Sequence, residues 1–423
     1  VYFRFASHRA LLDAGSGAEI HYPQPAAGFD AFVDQVHSVI EAAGPETMYI
    51  FDCLSELADA WQSDRMMGNF FRLTCPRLFD LDTVTYFAVL RHRHARAGMG
   101  MITETTQYLL DVFRCRDRLY VRPIKVQHRS AAVMNLIHAW DAGDHFRPVA
   151  DSGTVAEILA GSGWPGLEDE QIRSHWQHFW PGPLTLILKR EAGVPDMAAE
   201  AEAFARLACM LFPDEPGLQR LIARYLGLED LIAVRARMIG IGTIGGKAAG
   251  MLVARAVLRR DAPALHARME AHDSFYVGTE VFDTFFVSNG LWWVRRRQRE
   301  DAGFLQGLDG EQGARQRILK GTFPDSTLRQ FEAMLDYFGE WPFIVRSSSR
   351  LEDRYGNAFA GQYDSVFCVN QGTRERRLAD LLDAVRAVYA SSLSEQALRY
   401  RKRRGLLDEH EQMALLIMRV SGT

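Results

Sequence analysis

The chain has 423 residues and a formal net charge of −4, with 48% hydrophobic and 24% charged residues. This composition is that of a globular protein rather than a disordered one, and the length predicts about two or three domains. The small negative charge argues against a general binder of nucleic acid or of membrane surfaces, and no apolar run approaches the ~20 residues that span a bilayer. The cysteines are scattered without a CxxC pair, which predicts reduced thiols and a cytoplasmic protein.

Residues 1–160 alternate between helix and strand patterns. An amphipathic helix is predicted at 28–42 and a buried strand at 47–51. Later strands are predicted at 83–90, 108–113 and 118–126. This alternation is typical of an α/β domain with a mainly parallel sheet and helices on both faces.

Asp52 directly follows the predicted strand at 47–51. An aspartate in this place can hold Mg²⁺ and a water molecule beside a nucleoside triphosphate, as in the Walker B motif of P-loop ATPases. The alternative is structural, with Asp52 capping the helix that follows a core strand. Lys125 and Arg129 are candidates for contacting the nucleotide of a neighbouring subunit.

The segments YIFDCLSEL, MITETTQYLLDVF and RLYVRPIKVQHRS resemble the C-terminal part of a RecA/KaiC-like domain, over about residues 30–150. This resemblance implies nucleotide binding at Asp52 and a possible homo-oligomer built through this domain. In such domains a P-loop precedes the Walker B strand, and no G-x-x-x-x-G-K-[ST] motif occurs in this chain.

Histidines and arginines alternate in the segment LRHRHAR, at residues 90–96. A metal site would need acidic or cysteine neighbours at a defined spacing. The pattern instead predicts a solvated basic loop or helix end.

The segment GSGWPG, at residues 161–166, is rich in structure-breaking residues and predicts a domain boundary. Residues 161–237 then form a predicted helical connector. Within it, Pro-Gly-Pro at 181–183 precedes the apolar run LTLIL, which predicts a turn followed by a strand.

The glycine-rich segment GIGTIGGKAAG opens the predicted second domain, at residues 238–423. Gly240, Gly242 and Gly245 match the GxGxxG pattern of dinucleotide-binding folds, with Asp261 about twenty residues farther on. Under this interpretation the chain is a Rossmann-type oxidoreductase.

In the competing interpretation, Gly245, Gly246 and Lys247 open a helix that extends to residue 260. The backbone amides at the start of that helix and the Lys247 ammonium would face a nucleotide phosphate.

The segment 344–367, IVRSSSRLEDRYGNAFAGQYDSVF, combines a fixed cation, hydroxyls and a loop of small residues between two strands. Arg346 offers a planar fork of donors that stays charged, and Ser347 and Ser348 add hydroxyls. In the loop 356–362, small residues let backbone amides approach phosphate oxygens closely. These residue types predict a polyphosphate site.

An acidic pair, Glu352 and Asp353, follows the serines. Two interpretations stay open for it. The carboxylates help to hold Mg²⁺, or they pair with Arg350 and Arg354.

The motifs GGKAAG, VGTEVFDTF, VRSSSRLED, NAFAGQYDSVF, AVYASSLSEQALRYR and LLIMRVSG follow one another in this order. Together they resemble the ATP-binding domain of phosphoenolpyruvate synthases and pyruvate phosphate dikinases, which rifampicin phosphotransferases share. The resemblance implies the N-terminal lobe of an ATP-grasp fold, of α+β class. It implies that Lys247 and Arg346 are the catalytic, phosphate-binding cations and that the 356–362 loop closes over ATP. The implied ATP-binding residues are Gly245, Gly246, Lys247, Arg346, Ser347, Ser348, Gly361 and Gln362.

In that family the Mg²⁺-binding carboxylates belong to a second ATP-grasp lobe, which would follow Thr423. That lobe, a swivelling domain with a phosphate-carrying histidine and a pyruvate-binding barrel have no counterpart in this sequence. Since the chain begins without Met and ends just after an apolar run, we expect it to be a piece of a longer protein.

We predict an ATP-binding phosphotransferase module fused behind the RecA-like domain, with ATP and Mg²⁺ as cofactors. The phosphoryl acceptor is a carrier histidine, water or a small molecule such as pyruvate. The alternative is a regulatory or signalling protein that oligomerises through the RecA-like domain and only senses nucleotide. No nucleic-acid or membrane partner is expected.

Overall fold

The computed structural model describes residues 1–6, 12, 15, 17–91, 93–127, 134–141, 143, 145–161, 181–295, 311–352, 361–407, 409 and 411–420. The chain divides into two compact units, Val1–Phe179 and Trp180–Thr423. The described helices of the predicted connector fall within the second unit. Among the described residues, no helix is both long enough and apolar enough to cross a membrane.

The first unit contains a four-stranded sheet in which every pairing is parallel. Its strands are β1 (Tyr2–Phe3), β2 (Ile20–His21), β3 (Met48–Phe51) and β4 (Val84–Phe87), in the order β2-β1-β3-β4. The helices between and after them are α1 (Phe29–Ala43), α2 (Ser55–Ala60), α3 (Asp64–Asp80) and α4 (Arg96–Thr105), with a short 3₁₀ helix at Pro25–Ala27. The rings of Phe3, Phe51 and Phe87 stack across adjacent strands, with centroids 4.6 and 4.5 Å apart. Here the strands are parallel, as predicted.

A second sheet in the first unit is antiparallel throughout. It consists of β5 (Tyr108–Cys115), β6 (Arg118–Val126), β7 (His138–Trp140) and β8 (Phe146–Pro148), and α5 (Ser152–Gly161) follows it. Phe113, Tyr120 and Ile158 share its small apolar core. The predicted parallel sheet therefore does not extend to β5 and β6. Only two residues connect them, whereas a parallel connection needs a crossover of a dozen or more.

The second unit begins with helices. They are α6 (Pro181–Glu191), α7 (Met197–Leu211), α8 (Pro216–Tyr225) and α9 (Leu228–Ala236). The strand predicted after Pro-Gly-Pro is wrong, because that run lies inside α6. Proline is favoured in the first turn of a helix, where its missing N–H has no intrahelical partner to lose.

The remaining elements surround a five-stranded mixed sheet in the order β12-β11-β13-β10-β9. Its strands are β9 (Met238–Ile239), β10 (Ser274–Val277), β11 (Phe343–Ser349), β12 (Ser365–Cys368) and β13 (Met413–Arg419). The helices are α10 (Gly245–Asp261), α11 (Pro263–His266), α12 (Thr279–Ser288), α13 (Glu311–Lys320), α14 (Asp325–Phe338), α15 (Arg374–Ser391) and α16 (Glu395–Arg403). Only β9 and β10 are parallel neighbours in this sheet.

The two faces of this sheet have different partners. Phe343 and Val345 of β11 lie in a large apolar core with residues of α12, α14 and α15. Side chains alternate along a strand, so Arg346 and Ser348 lie on the opposite face, where the amide of Ala248 in α10 contacts Ser348. The first turn of α10 thus lies beside the end of β11.

Candidate functional site

Two glycines bring the start of α10 into direct contact with the end of β11. A Cβ atom on Gly245 would lie 1.5 Å from the carbonyl oxygen of Ser348, and one on Gly246 would lie 2.2 Å from that of Glu352. Gly245 also has a φ of +76°, which other residues rarely adopt. No side chain fits between helix and strand at these two positions.

Ser348 ties the helix to the strand through its hydroxyl. Its Oγ accepts a hydrogen bond from the Ala248 amide at 3.1 Å and donates one to the Ile244 carbonyl at 2.8 Å. Ile244, the residue before α10, provides no side-chain cap, so Ser348 satisfies an amide of the first turn from outside the helix. The partial positive charge at the N-terminus of α10 therefore lies next to the C-terminal end of β11.

Lys247 reaches across to the turn that follows β11. Its Nζ donates to Ser347 Oγ at 2.9 Å and to Glu352 Oε1 at 2.7 Å. Ser347 also donates to Glu352 Oε1 at 2.9 Å, and the Ser349 amide donates to Glu352 Oε2 at 2.8 Å. The ammonium group is therefore fixed in position by a compact network.

Glu352 is almost completely buried, at 1% exposure. Burial raises the pKa of this carboxyl above its ordinary value, although the charge and hydrogen bond of Lys247 and the bonds from Ser349 and Ser347 act to lower it. Both carboxylate oxygens already accept hydrogen bonds, one of them from Lys247, which favours the interpretation in which Glu352 pairs with a cation over its role as a Mg²⁺ ligand.

Arg346 differs from Lys247 in that its side chain has no partner among the residues that the structure describes. It is half-buried, and no described residue accepts a hydrogen bond or an ion pair from its guanidinium. It lies one residue before Ser347 and on the same face of β11 as Ser348. A free guanidinium beside a helix N-terminus is suited to an anion.

Gly361 and Gln362, two further predicted site residues, follow the segment 353–360 in the chain. Asp353 and the first five residues of the predicted 356–362 loop are outside the described residues. Gly361 is exposed, and its carbonyl accepts a hydrogen bond from Gln396 at 3.2 Å, while Gln362 is half-buried. Among the described residues, no hydrogen bond or ion pair joins Gly361 or Gln362 to Lys247.

A second buried network, around Glu411, was not predicted from the sequence. Glu411, 6% exposed, accepts hydrogen bonds from the hydroxyls of Ser349 and Tyr363, and Arg401 lies 3.9 Å from its Oε2. Burial and then the Glu411 charge raise the pKa of Tyr363 well above its ordinary value. This network joins the end of β11 to the residues just before β13. No local sequence pattern predicts such a long-range contact.

No group of three or more His, Cys, Asp or Glu side chains among the described residues is arranged to hold a metal ion. Of the predicted metal ligands, Glu352 pairs with Lys247 and Asp353 is outside the described residues.

Comparison with known proteins bears on the C-terminal part. Residues 241–423 match the family model of the pyruvate phosphate dikinase AMP/ATP-binding domain. This match confirms the resemblance predicted from the ordered motifs and covers all the residues that this resemblance assigns to ATP binding. It does not extend to residues 1–240, so the RecA/KaiC-like resemblance stays a prediction. A search of curated proteins found no match.

The GxGxxG interpretation finds part of the geometry it needs. Gly240 to Gly245 link β9 to α10, and β9 and β10 are parallel. Asp261, however, lies at the last turn of α10, where its carboxylate accepts a hydrogen bond from Tyr225 at 2.8 Å. A ribose-binding acid would have to lie near the glycine loop, at the other end of this helix.

Asp52 lies in the first unit and holds the N-terminal strand. Its Oδ2 accepts the amides of Phe5 and Ala6 at 3.0 Å each, and its Oδ1 accepts the Tyr2 hydroxyl. The residue that precedes α2 is Leu54, so Asp52 is not the helix cap of the structural alternative. These hydrogen bonds join the end of β3 to Tyr2 and to the residues after β1.

Lys125 is held by the end of α4, with its Nζ donating to the carbonyls of Thr103 and Glu104 at 2.6 and 3.1 Å. A cation at this position complements the helix dipole. Arg129, its predicted companion, is outside the described residues.

The prediction of a solvated loop at residues 90–96 is wrong for His94. This residue is 3% exposed and lies between Ser55 and Asp64, with Nε2 2.6 Å from Ser55 Oγ and Nδ1 2.7 Å from Asp64 Oδ1. The Ser55 hydroxyl also accepts the Leu90 amide at 2.9 Å. These three side chains fasten the starts of α2 and α3 to the chain after β4.

Proposed function

We propose that the second unit binds ATP and acts as the ATP-binding part of a phosphotransferase of the phosphoenolpyruvate synthase and pyruvate phosphate dikinase type. The observation that carries this proposal is the contact between the start of α10, which bears Lys247, and the end of β11, which bears Arg346. Each of the two elements thus contributes a cation beside a helix N-terminus, which suits a polyphosphate. The match over residues 241–423 supports the same ligand.

The geometry suggests different tasks for the proposed ATP residues. Arg346 offers its whole guanidinium to the phosphates, and Lys247 contributes a point charge already oriented by Glu352. Gly245 and Gly246 let the helix start come close, while Ser347 and Ser348 hold Lys247 and the first turn in place. This last task is positioning rather than direct phosphate contact.

Gly361 and Gln362 remain proposed ATP contacts from the segment that precedes β12. Mg²⁺ would enter with the nucleotide and neutralise charge on its phosphates, as it does in phosphoryl transfer generally. We propose no Mg²⁺ role for Glu352, and Asp353 keeps its role only as a proposal. The proposed ATP-grasp lobe fits the mixed sheet with helices on both of its faces.

Phosphoryl transfer requires little covalent help from the protein, because it depends on positioning and on stabilising charge. Arg346 and Lys247 would do both for the transferred group. A carrier histidine, water or a small molecule such as pyruvate remains the proposed acceptor. The proposed site does not include Asp52, which belongs to the first unit.

The decisive experiment follows ATP consumption by phosphorus NMR, with and without pyruvate. Formation of AMP together with phosphate or pyrophosphate is expected for dikinase-type chemistry. ADP as the sole nucleotide product would contradict that class.

One observation favours a second candidate, a protein that senses nucleotide without transferring phosphate. Lys247 is already neutralised by Glu352, so the described site offers one free cation, Arg346, to a triphosphate. Saturable ATP binding without any product in the same NMR experiment would select this candidate.

The second candidate also assigns a RecA-like, oligomerising role to residues 1–160. The parallel sheet of the first unit supports the RecA-like part of this proposal.

We also propose a cytoplasmic location. All five cysteines are free thiols, four of them buried, as expected in a reducing compartment.

A further inference from the structure

Two neighbouring cavities lie beside α10 in the second unit, away from the proposed ATP site. The first, of about 360 Å³, is lined by residues of α9, α10 and β10, and the second, of about 340 Å³, adjoins it. Arg255, His272 and Asp273 line both, so the two cavities meet at these side chains. Lys247 and Arg346 line neither, and Arg255 is about 12 Å farther along α10 than Lys247. Each volume is in the range of small-molecule sites.

Cations outnumber carboxylates in the walls of these cavities. The charged residues are Arg237, Arg255, Arg259 and Arg419 against Asp230, Glu270 and Asp273, with His266 and His272 in addition. Two carboxylates already have arginine partners. Arg259 donates to both oxygens of Asp230, at 2.9 and 2.8 Å, and Arg237 lies 3.3 Å from Asp273.

Of these cations, Arg255 and Arg419 have no carboxylate partner among the described residues, and Arg255 lines both cavities. Its Nη2 donates to the backbone carbonyl of Glu270 at 3.0 Å, which leaves further N–H donors at the junction of the cavities. A half-buried guanidinium with spare donors attracts an anion, and its planar fork suits a phosphate or a carboxylate.

Ser274 adds an unused polar group to the first cavity. It is 4% exposed, and its hydroxyl has no hydrogen-bond partner among the described residues. Buried hydroxyls without a partner are rare and destabilising. An oxygen atom of a ligand in the cavity would supply the missing bond.

The second cavity provides an apolar wall next to this polar junction. Its lining includes Met251, Leu258, Met269 and Met418. Methionine side chains adapt to irregular apolar groups, so this wall suits a hydrocarbon or aromatic portion of a ligand.

We propose that the joined cavities bind a small organic anion, either a phosphate ester or a carboxylate, that carries an apolar group. Its charged head contacts Arg255 and the Ser274 hydroxyl, and its apolar part lies against the methionines of the second cavity. This site is distinct from the proposed ATP site, although α10 contributes to both.

The test titrates phenyl phosphate, phenylacetate and inorganic phosphate into the whole protein by calorimetry, with and without ATP. Saturable one-to-one binding of an aromatic anion, tighter than that of inorganic phosphate and unchanged in Arg346→Met, is expected. Which of the two aromatic probes binds more tightly identifies the preferred head group. No saturation by either aromatic anion below about 10 mM would overturn the proposal, as would its loss in Arg346→Met.

Three variants locate the site. Arg255→Met keeps the length of the side chain and should weaken binding about tenfold or more, because it removes a charged hydrogen bond. Ser274→Ala should weaken it severalfold without lowering the thermal midpoint, because the hydroxyl has no partner in the protein. Arg268→Met is the matched control, an exposed arginine of the same region that lines neither cavity. Equal affinities in Arg255→Met and Arg268→Met would refute the assignment.

Discussion

Lys247 Nζ and Glu352 Oε1 lie 2.7 Å apart although 105 residues separate them in the chain. The pair joins the first turn of α10 to the turn after β11, where it is mostly removed from solvent. Breaking one partner of a buried pair typically costs ~3–5 kcal/mol, because the other charge is left uncompensated. The pair therefore holds the Lys247 ammonium in place at the proposed phosphate site before any ligand binds.

ATP binding should be accompanied by proton uptake at Glu352. Burial already raises the pKa of this carboxyl, and the negative phosphates brought next to Lys247 would raise it further. At mildly acidic pH, between the free and bound pKa values, the protein must then take up a proton. Calorimetry in two buffers of different ionisation enthalpy measures this uptake.

The control is Glu352→Gln, which keeps the shape of the side chain and cannot titrate. Its binding enthalpy should depend less on the buffer than that of the parent protein, because only the ATP phosphates and not residue 352 then exchange protons. The same buffer dependence in the variant and the parent protein would rule out Glu352 as the proton acceptor.

Arg346→Met should weaken ATP binding by about tenfold to a hundredfold, the range for losing hydrogen bonds to a charged group. Its folding stability should hardly change, since the guanidinium has no partner among the described residues. Equilibrium binding and urea unfolding measure the two effects. Arg329→Met, on an exposed position of α14, is the control and should alter neither.

Gly246→Ala and Gly250→Ala should have opposite effects within one helix. A Cβ at Gly246 meets the Glu352 carbonyl at 2.2 Å, whereas one at Gly250 meets nothing within 4 Å. The first substitution should destabilise the fold by ~1–3 kcal/mol through overpacking, and the second should stabilise it by up to ~1 kcal/mol through helix propensity. Denaturant unfolding compares them, and equal shifts in the midpoint would contradict the close approach.

The Ser55, His94 and Asp64 network should be structural despite distances that resemble a Ser-His-Asp triad. Ser55 is 0% exposed, so its hydroxyl cannot meet a substrate. We expect no reaction of Ser55 with an alkyl fluorophosphonate, followed by mass spectrometry. Labelling at Ser55 would overturn this assignment.

His94→Ala should lower the stability of the first unit by ~2–4 kcal/mol, because it leaves Ser55 and Asp64 buried without their partner. Hydrogen exchange of amides in α2 and α3 reports this locally. The control is His138→Ala, a half-buried histidine bonded to the nearby Leu136 carbonyl, which should cost little. Similar loss of protection in both variants would argue against a special role for His94.

The elements of the second unit were predictable because their patterns are local. The glycine pair before Lys247, the strand around Arg346 and the long apolar faces of α14 and α15 each mark their own element. The order of the motifs along the chain matches that of one family. The residues of β11 and α10 could therefore be assigned to one site. The partner of Lys247 was not predictable, since Glu352 offered equally good local partners in Arg350 and Arg354.

The errors also have physical causes. A short apolar run such as LTLIL fits a helix or a strand, and only packing decides between them. His94 lies among arginines, a pattern typical of a solvated segment. Arg93 does pair with Asp59 at the surface, but the imidazole of His94 is buried against Asp64. Glu411 contacts Ser349 and Tyr363 only because β13 pairs with β11, and strand partners far apart in sequence leave no local trace.

The strand order of the second unit has a consequence for how it folds. β10 and β11 share no hydrogen bond, because β13 lies between them and pairs with both. The sheet that holds Arg346 near α10 therefore closes only after Met413–Arg419 has been added to the chain. Contacts of such long sequence separation slow folding and make it cooperative. The proposed phosphate site should thus form in one late step, only after this strand has been synthesised.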